Sequence, residues 1–266
     1  MRKYGLKPQY DIDVIKPLDQ ISRWNLDNEH QIGTAILVDF EGKPGHIRQS
    51  AFIGISYSKW DGRFFDKLFE FTDVHKKDNY EVEAIVDLAD LMISHNAEFD
   101  RTIFDLRFPM FNDKPWGCSL TNINWKQYGF RHQSLGFLLK EYGWKFNEHN
   151  ALEDTRALAQ LLSEKLPSGE YAMYELLINS RQPKTRVLAA FAPHKANEEF
   201  KSKGYMFNSK YILSPSKNGV WFKDVDPKNA DKEIKWLKDK YNINPLTMEI
   251  TAKKNFTPAS IYGISA

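Results

Sequence analysis

Two acidic residues follow an apolar stretch in the first third of the chain. In TAILVDFEG, Thr34 to Gly42, Asp39 and Glu41 come directly after Ile-Leu-Val. Side chains alternate along a strand, so residues two positions apart point to the same face. Two carboxylates on one face repel each other unless a cation lies between them, and Mg²⁺ and Mn²⁺ prefer oxygen ligands. The spacing therefore suggests a divalent-cation site, and a strand end with two solvated acids is the alternative.

A further acid follows a second apolar stretch. In LMISHNAEFD, Asp100 lies at the start of a predicted helix, beside aromatic and apolar neighbours. It is either a third metal ligand or an acid favoured there by the helix dipole.

A histidine and a fourth acid lie in EHNALEDTRALAQLL. His149 and Asp154 are five residues apart, which is about one and a half turns and not one helical face. His149 is therefore expected in the loop or first turn before a helix, and Asp154 inside that helix. A histidine there can reach over a site that Asp154 helps to build. The alternative is a surface histidine beside an ordinary helix acid.

The elements that carry these residues follow from hydrophobic periodicity. The first predicted strand is continuously apolar, as expected for a strand covered on both faces. Strands first in succession and then alternating with helices predict an α/β domain with a mixed sheet flanked by helices. The predicted strands lie at 34–40, 47–58 and 63–71 and near 93 and 116, and the predicted helices at 79–92, 97–108, 134–144, 150–166 and 171–179.

Taken together, the motifs VDFEG, SHNAEFD and HNALED resemble those of DEDDh 3′→5′ exonucleases of the DnaQ-like family. The resemblance spans roughly Thr34 to Leu166, with all three motifs in order. It implies a ribonuclease H-like fold, in which a mixed five-stranded sheet contains one antiparallel strand. It also implies hydrolysis of DNA from the 3′ end to nucleoside 5′-monophosphates. By this resemblance Asp39, Glu41, Asp100 and Asp154 would bind two divalent ions, Mg²⁺ or Mn²⁺, and His149 would be the general base.

One part of the sequence departs from that pattern. Many members follow the glutamate of the first motif with Thr-Thr-Gly or Ala-Thr-Gly, whose backbone and hydroxyl contact the terminal nucleotide, whereas this chain has GKPG from Gly42 to Gly45. The grip on the 3′ end, with Gly42 as a contact, is therefore expected to differ. Asn96 is either a substrate contact or a cap of the helix that follows it.

The rest of the chain suggests a small basic α+β domain at 181–266, after a lead-in at 1–33 with one short helix and the exonuclease domain at 34–180. In the basic domain the pattern predicts strands at 186–192, 210–214, 219–225 and 247–256 and helices at 196–204 and 227–241, with Asp226 as the N-cap of the second helix. Residues 183–258 contain 15 Lys and Arg against 8 Asp and Glu, a net charge of +7 within a chain of net charge +2. Lysines that alternate with Tyr205, Phe207, Tyr211, Trp221 and Phe222 suggest binding of single-stranded or frayed DNA 3′ ends. For each single aromatic residue, the core of a small sheet is the better interpretation.

Bulk features exclude other classes. The single cysteine, Cys118, rules out an internal disulfide and a cysteine-based zinc site. No apolar run reaches membrane-spanning length and the start lacks a signal-peptide pattern, so a cytoplasmic protein without a membrane partner is expected. The oligomeric state is left open, and a homo-oligomer is compatible with the resemblance.

Two other functions are compatible with the sequence. A 3′→5′ exoribonuclease of the same family would use the same five residues. A non-catalytic scaffold that binds a polymerase or a nucleic acid is the second alternative, although a scaffold would have little reason to keep all five.

Overall fold

The computed structural model describes residues 10–11, 32–58, 65–72, 80–209 and 219–257. The chain divides into two compact units, Met1–Ser180 and Arg181–Ala266. Within the described residues, no helix combines the length and the apolar character needed to cross a membrane.

The first unit is built on a mixed sheet of five strands. Their order across the sheet is β3-β2-β1-β4-β5, and among these five β2 alone runs antiparallel to the others. The strands are β1 Ile32–Lys43, β2 His46–Ser58, β3 Phe65–Thr72, β4 Leu91–Ser94 and β5 Trp116–Cys118. All five predicted strands are therefore present.

Strand β1 is central because it can be covered on both faces. Residues Ala35 to Val38 are fully buried, as the continuous apolar run predicted. Strand β2 pairs with β1 along its whole length, whereas β4 pairs with it only from Ala35 to Leu37. The last part of β1, which carries both acids, therefore extends beyond β4.

Helices cover this sheet, and most of the predicted boundaries are close. The helices are α1 Tyr80–Asp87, α2 Ala97–Arg107, α3 Leu135–Glu141, α4 Ala151–Ser163 and α5 Ala172–Arg181. The predicted helix over 79–92 is too long, because α1 ends at Asp87 and Leu91 already begins β4. The helix predicted at 171–179 is confirmed by α5, which runs from Ala172 to Arg181. Met173 and Leu176 of α5 are fully buried in the core of this unit. The next strand along the chain begins at Lys184.

In its described residues, the second unit is an antiparallel sheet with two α-helices. Its strands lie in the order β9-β6-β8-β7. The elements are β6 Lys184–Ala189, α6 Asn197–Ser202, β7 Met206–Asn208, β8 Val220–Val225, α7 Ala230–Tyr241 and β9 Leu246–Ile250. Asp226 caps the turn before α7 as predicted, since its side chain accepts the Lys228 N–H at 3.0 Å. Sequence reasoning missed β7 and extended β9 to residue 256, where the chain is in turns beyond Ile250.

Most of the aromatic residues of the second unit form its core. Tyr205, Trp221 and Phe222 are buried, and Phe200 packs against Trp221 with ring centroids 5.8 Å apart. Phe207 is about half exposed. The core interpretation is therefore confirmed for three of the five residues, while Tyr211 lies outside the described residues.

Two other predictions concern residues that are largely not described. The short helix expected within 1–33 and the strand expected at 210–214 lie outside the described residues. Tyr10–Asp11 pairs in parallel with Trp144–Lys145.

Candidate metal centre

Three carboxylates come together at the end of β1. Oxygen atoms of Asp39, Glu41 and Asp154 all lie within 4.8 Å of one another. The two acids of β1 share a face, as strand alternation requires, and Asp154 is contributed by the first turn of α4. Residues far apart in sequence thus form one cluster that is open enough to bind a cation.

Asp100 is fixed beside this cluster by the exposed edge of β1. Because β4 stops pairing at Leu37, the Phe40 N–H on that edge is available, and Asp100 Oδ1 accepts it at 3.0 Å. Asp100 is only 2% exposed. It lies close enough to raise the pKa of Asp39 through its charge. Helix α2 therefore places Asp100 against the strand that carries Asp39 and Glu41.

Asp154 is held by the start of its own helix. The Asn150 side chain accepts the Glu153 N–H at 3.2 Å as the N-cap of α4. In return, Asp154 Oδ2 accepts the backbone N–H of Asn150 at 2.9 Å. These hydrogen bonds fix the Asp154 carboxylate at the start of α4.

His149 lies at the rim, in the loop before α4, as predicted. Its backbone has φ 67°, a left-handed conformation that is uncommon for residues other than glycine and is often associated with functional sites. The side chain is exposed. Its charge and its backbone N–H both act to lower the pKa of Asp154, so histidine and carboxylate are neighbours.

Burial and mutual repulsion keep protons on the cluster. Burial, followed by the charges of Asp100, Asp154 and Glu41, raises the pKa of Asp39 to about 9. Burial also raises the pKa of Asp100 to about 7, against the lowering effect of the Phe40 N–H. The pKa of Asp154 is raised to about 6, again mainly by burial. The cluster is therefore short of positive charge.

A divalent cation would supply the positive charge that the cluster lacks. Among the described residues, buried Asp39 Oδ2 has no hydrogen-bond partner, and a buried polar atom without one is costly. A cation would supply the missing partner and the missing charge, and the donors are the carboxylate oxygens that Mg²⁺ and Mn²⁺ prefer.

The two weaker candidate residues have different outcomes. Asn96 precedes α2, but the suggestion that its side chain caps the helix is wrong. The residue has φ 89° and its side chain makes no capping hydrogen bond; its backbone carbonyl accepts the Phe99 N–H instead. The side chain is exposed. Gly42 lies directly beyond Glu41 with φ 129°, so its conformation explains the glycine.

Sequence reasoning missed His95, which orders the loop between β4 and α2. Its Nε2 donates to the Gln133 carbonyl at 2.9 Å, which leaves Nδ1 to accept from the Ser119 hydroxyl at 2.7 Å. Burial lowers its pKa to about 4, so it is neutral at physiological pH. The sequence contains no periodic signal for this role.

Comparisons of the chain with protein-family models, with curated proteins and with solved structures each return no match.

Proposed function

We propose that the protein is a metal-dependent 3′→5′ exonuclease that acts on DNA. The observation that carries the proposal is the cluster of Asp39, Glu41 and Asp154, with Asp100 beside it and a buried oxygen of Asp39 that has no partner among the described residues. The strand order and the single antiparallel strand support a ribonuclease H-like fold, which is part of the same proposal.

The four carboxylates would bind two divalent ions. Such ions neutralise phosphate charge and promote formation of hydroxide from water at neutral pH. Asp100 keeps its ligand geometry through the Phe40 N–H, and Asp154 keeps its own through Asn150. Asp100 and Asp154 are thus each positioned by a backbone N–H donor, one on a strand and one at a helix end.

His149 would accept the proton of the attacking water. Histidine is the side chain that most often acts as a general base in proton transfer. Its exposed place beside Asp154 lets it approach a substrate from the solvent side. Oxygen from water joins phosphorus, the bond from phosphorus to the 3′ oxygen breaks, and that oxygen leaves as a hydroxyl group. The products are a nucleoside 5′-monophosphate and a strand that is one nucleotide shorter.

The second unit supports a nucleic-acid partner through charge rather than stacking. Three of the five aromatic residues suggested for stacking are buried, whereas Lys232, Lys235 and Lys238 are exposed along α7. Lysines bind phosphates without reading sequence. Replacing all three by glutamine should lower affinity for single-stranded DNA and reduce its dependence on salt. Unchanged binding would exclude this role.

One assay panel tests the proposed function. Purified full-length protein is incubated with labelled single-stranded DNA, duplex DNA and RNA, each with Mg²⁺, Mn²⁺ or a chelator. We expect shortening of DNA from the 3′ end with either metal and none with the chelator. Preference for RNA would identify an exoribonuclease. Absence of metal-dependent products on all three substrates would refute the proposal.

A further inference from the structure

The hairpin between β1 and β2 contains an irregularity beside the acid cluster. Glu41 pairs with Gln49, but the next residue, Gly42, pairs with Ile47. Arg48 is therefore an additional residue on β2, and the ladder has a β-bulge at this point. Bulges interrupt the alternation of side chains and often redirect a side chain next to an active site.

Here the bulge directs Arg48 towards the cluster. In a regular ladder Arg48 would oppose Gly42 and point away from the face that Glu41 shares with Gln49. Instead, Arg48 Nη2 lies 3.8 Å from Glu41 Oε2. Since Glu41 is one of the three clustered carboxylates, the guanidinium is one contact away from the proposed ligands.

Gly42 makes this geometry possible. A Cβ atom on Gly42 would lie 2.4 Å from the His46 carbonyl oxygen and 3.0 Å from the Arg48 nitrogen. Its φ of 129° is also unfavourable for any other residue. Gly42, the first glycine of the GKPG segment, thus permits the bulge, and the bulge places Arg48 beside Glu41.

The contact with Glu41 is too weak to be the reason for the bulge. The Arg48 side chain is 69% exposed, and exposed ion pairs contribute little to stability. Cations bound by Glu41 would weaken the pair further. The exposed planar guanidinium carries a fork of N–H donors that matches two phosphate oxygens.

We propose that Arg48 binds the phosphate of the 3′-terminal nucleotide and replaces the contact that a hydroxyl-bearing residue after Glu41 would provide. The proposal rests on the proposed function, because that function places a nucleotide phosphate at the carboxylate cluster. Lys43, also exposed on this hairpin, adds a second positive charge along which a strand end approaches.

Binding, rather than cleavage, tests the proposal. Thymidine 5′-monophosphate is titrated by calorimetry into full-length protein with Mn²⁺. Loss of a charge-assisted hydrogen bond predicts about 10–100-fold weaker binding by Arg48→Gln, with a smaller loss for Arg48→Lys, which keeps the charge and loses the fork. Lys126→Gln removes an exposed positive charge elsewhere in the same unit and should bind like the wild type.

A second measurement separates phosphate binding from support of the metal ligands. Mn²⁺ should raise the melting temperature of Arg48→Gln as much as that of the wild type. Equal nucleotide binding by the wild type and Arg48→Gln would overturn the proposal, even with an active exonuclease. The proposal would also be overturned if Mn²⁺ no longer raised the melting temperature of Arg48→Gln, or if the wild type failed to bind the nucleotide. Nucleotide binding that depends on Arg48 without any strand cleavage would overturn the proposed function alone.

Discussion

Replacing Asp39 by asparagine should stabilise the metal-free protein. Asp39 is surrounded by carboxylates and has a buried oxygen without a partner among the described residues. The amide of an asparagine carries no charge and can donate to neighbouring carboxylates. Groups arranged for function often reduce stability in this way. The free energy of unfolding of Asp39→Asn, measured with a chelator, should therefore exceed that of the wild type.

The size and pH dependence follow from the pKa of Asp39, which is raised from 3.8 to about 9. Below pH 4, Asp39 is protonated in both the folded and the unfolded state, so it does not lower the free energy of unfolding. Between pH 4 and 9 the unfolded state loses the proton while the folded state keeps it, so folded wild type becomes less stable as pH rises. At pH 7 the ceiling is about 4 kcal/mol, from about 1.4 kcal/mol per pH unit. Because water reaches the open side of the cluster, we expect the free energies of unfolding of Asp39→Asn and the wild type to differ by about 1–3 kcal/mol at pH 7.

Thermal unfolding of the chelated proteins at pH 4 to 9 measures this difference. At pH 7 Asp39→Asn should melt about 3–10 °C above the wild type, and the difference should vanish near pH 4. Asp87→Asn, at the exposed end of α1, removes an equivalent charge and should show little change. A lower melting temperature for Asp39→Asn at pH 8, or a difference independent of pH, would refute the reasoning.

Three further predictions concern the same region. Mn²⁺ must displace protons from Asp39 and Asp100, whose pKa values are raised, so its affinity should increase from pH 6 to 9 with proton release in calorimetry; constant affinity would contradict this. His149→Ala should reduce cleavage about 100–10,000-fold while Mn²⁺ still raises the melting temperature, and loss of that thermal effect would contradict a role as base. Gly42→Ala should cost at least about 1–3 kcal/mol in chemical denaturation, because its Cβ would meet the His46 carbonyl at 2.4 Å. Gly45→Ala, with φ 81° but nothing within 4 Å of its Cβ, should cost less, and equal losses would exclude the steric explanation.

The sequence predicts best what depends on local periodicity. The continuous apolar run identifies β1 as buried on both faces, and strand alternation places Asp39 and Glu41 together. The helix periodicity around Asp154 correctly predicts that His149 precedes α4. These features arise from neighbouring residues, so a single sequence is sufficient to predict them.

Features that depend on where pairing stops could not be predicted. Asp100 reaches the cluster because β4 leaves β1 after Leu37 and exposes the Phe40 N–H. Arg48 reaches it through a register shift of one residue. Asn96 misled the prediction because asparagine is common both at N-caps and in the left-handed region. A three-residue strand such as β7 is too short for a periodic signal.

The central claim is that the carboxylate cluster at the end of β1 hydrolyses DNA from the 3′ end. The most direct measurement is release of label from a single-stranded oligonucleotide labelled in its 3′-terminal nucleotide, with Mn²⁺, by the wild type and Asp39→Asn. We predict that the wild type releases the label as a nucleoside 5′-monophosphate from the first turnover and that Asp39→Asn releases none above background. Equal release by both proteins, or release of the label within longer fragments, would contradict the claim.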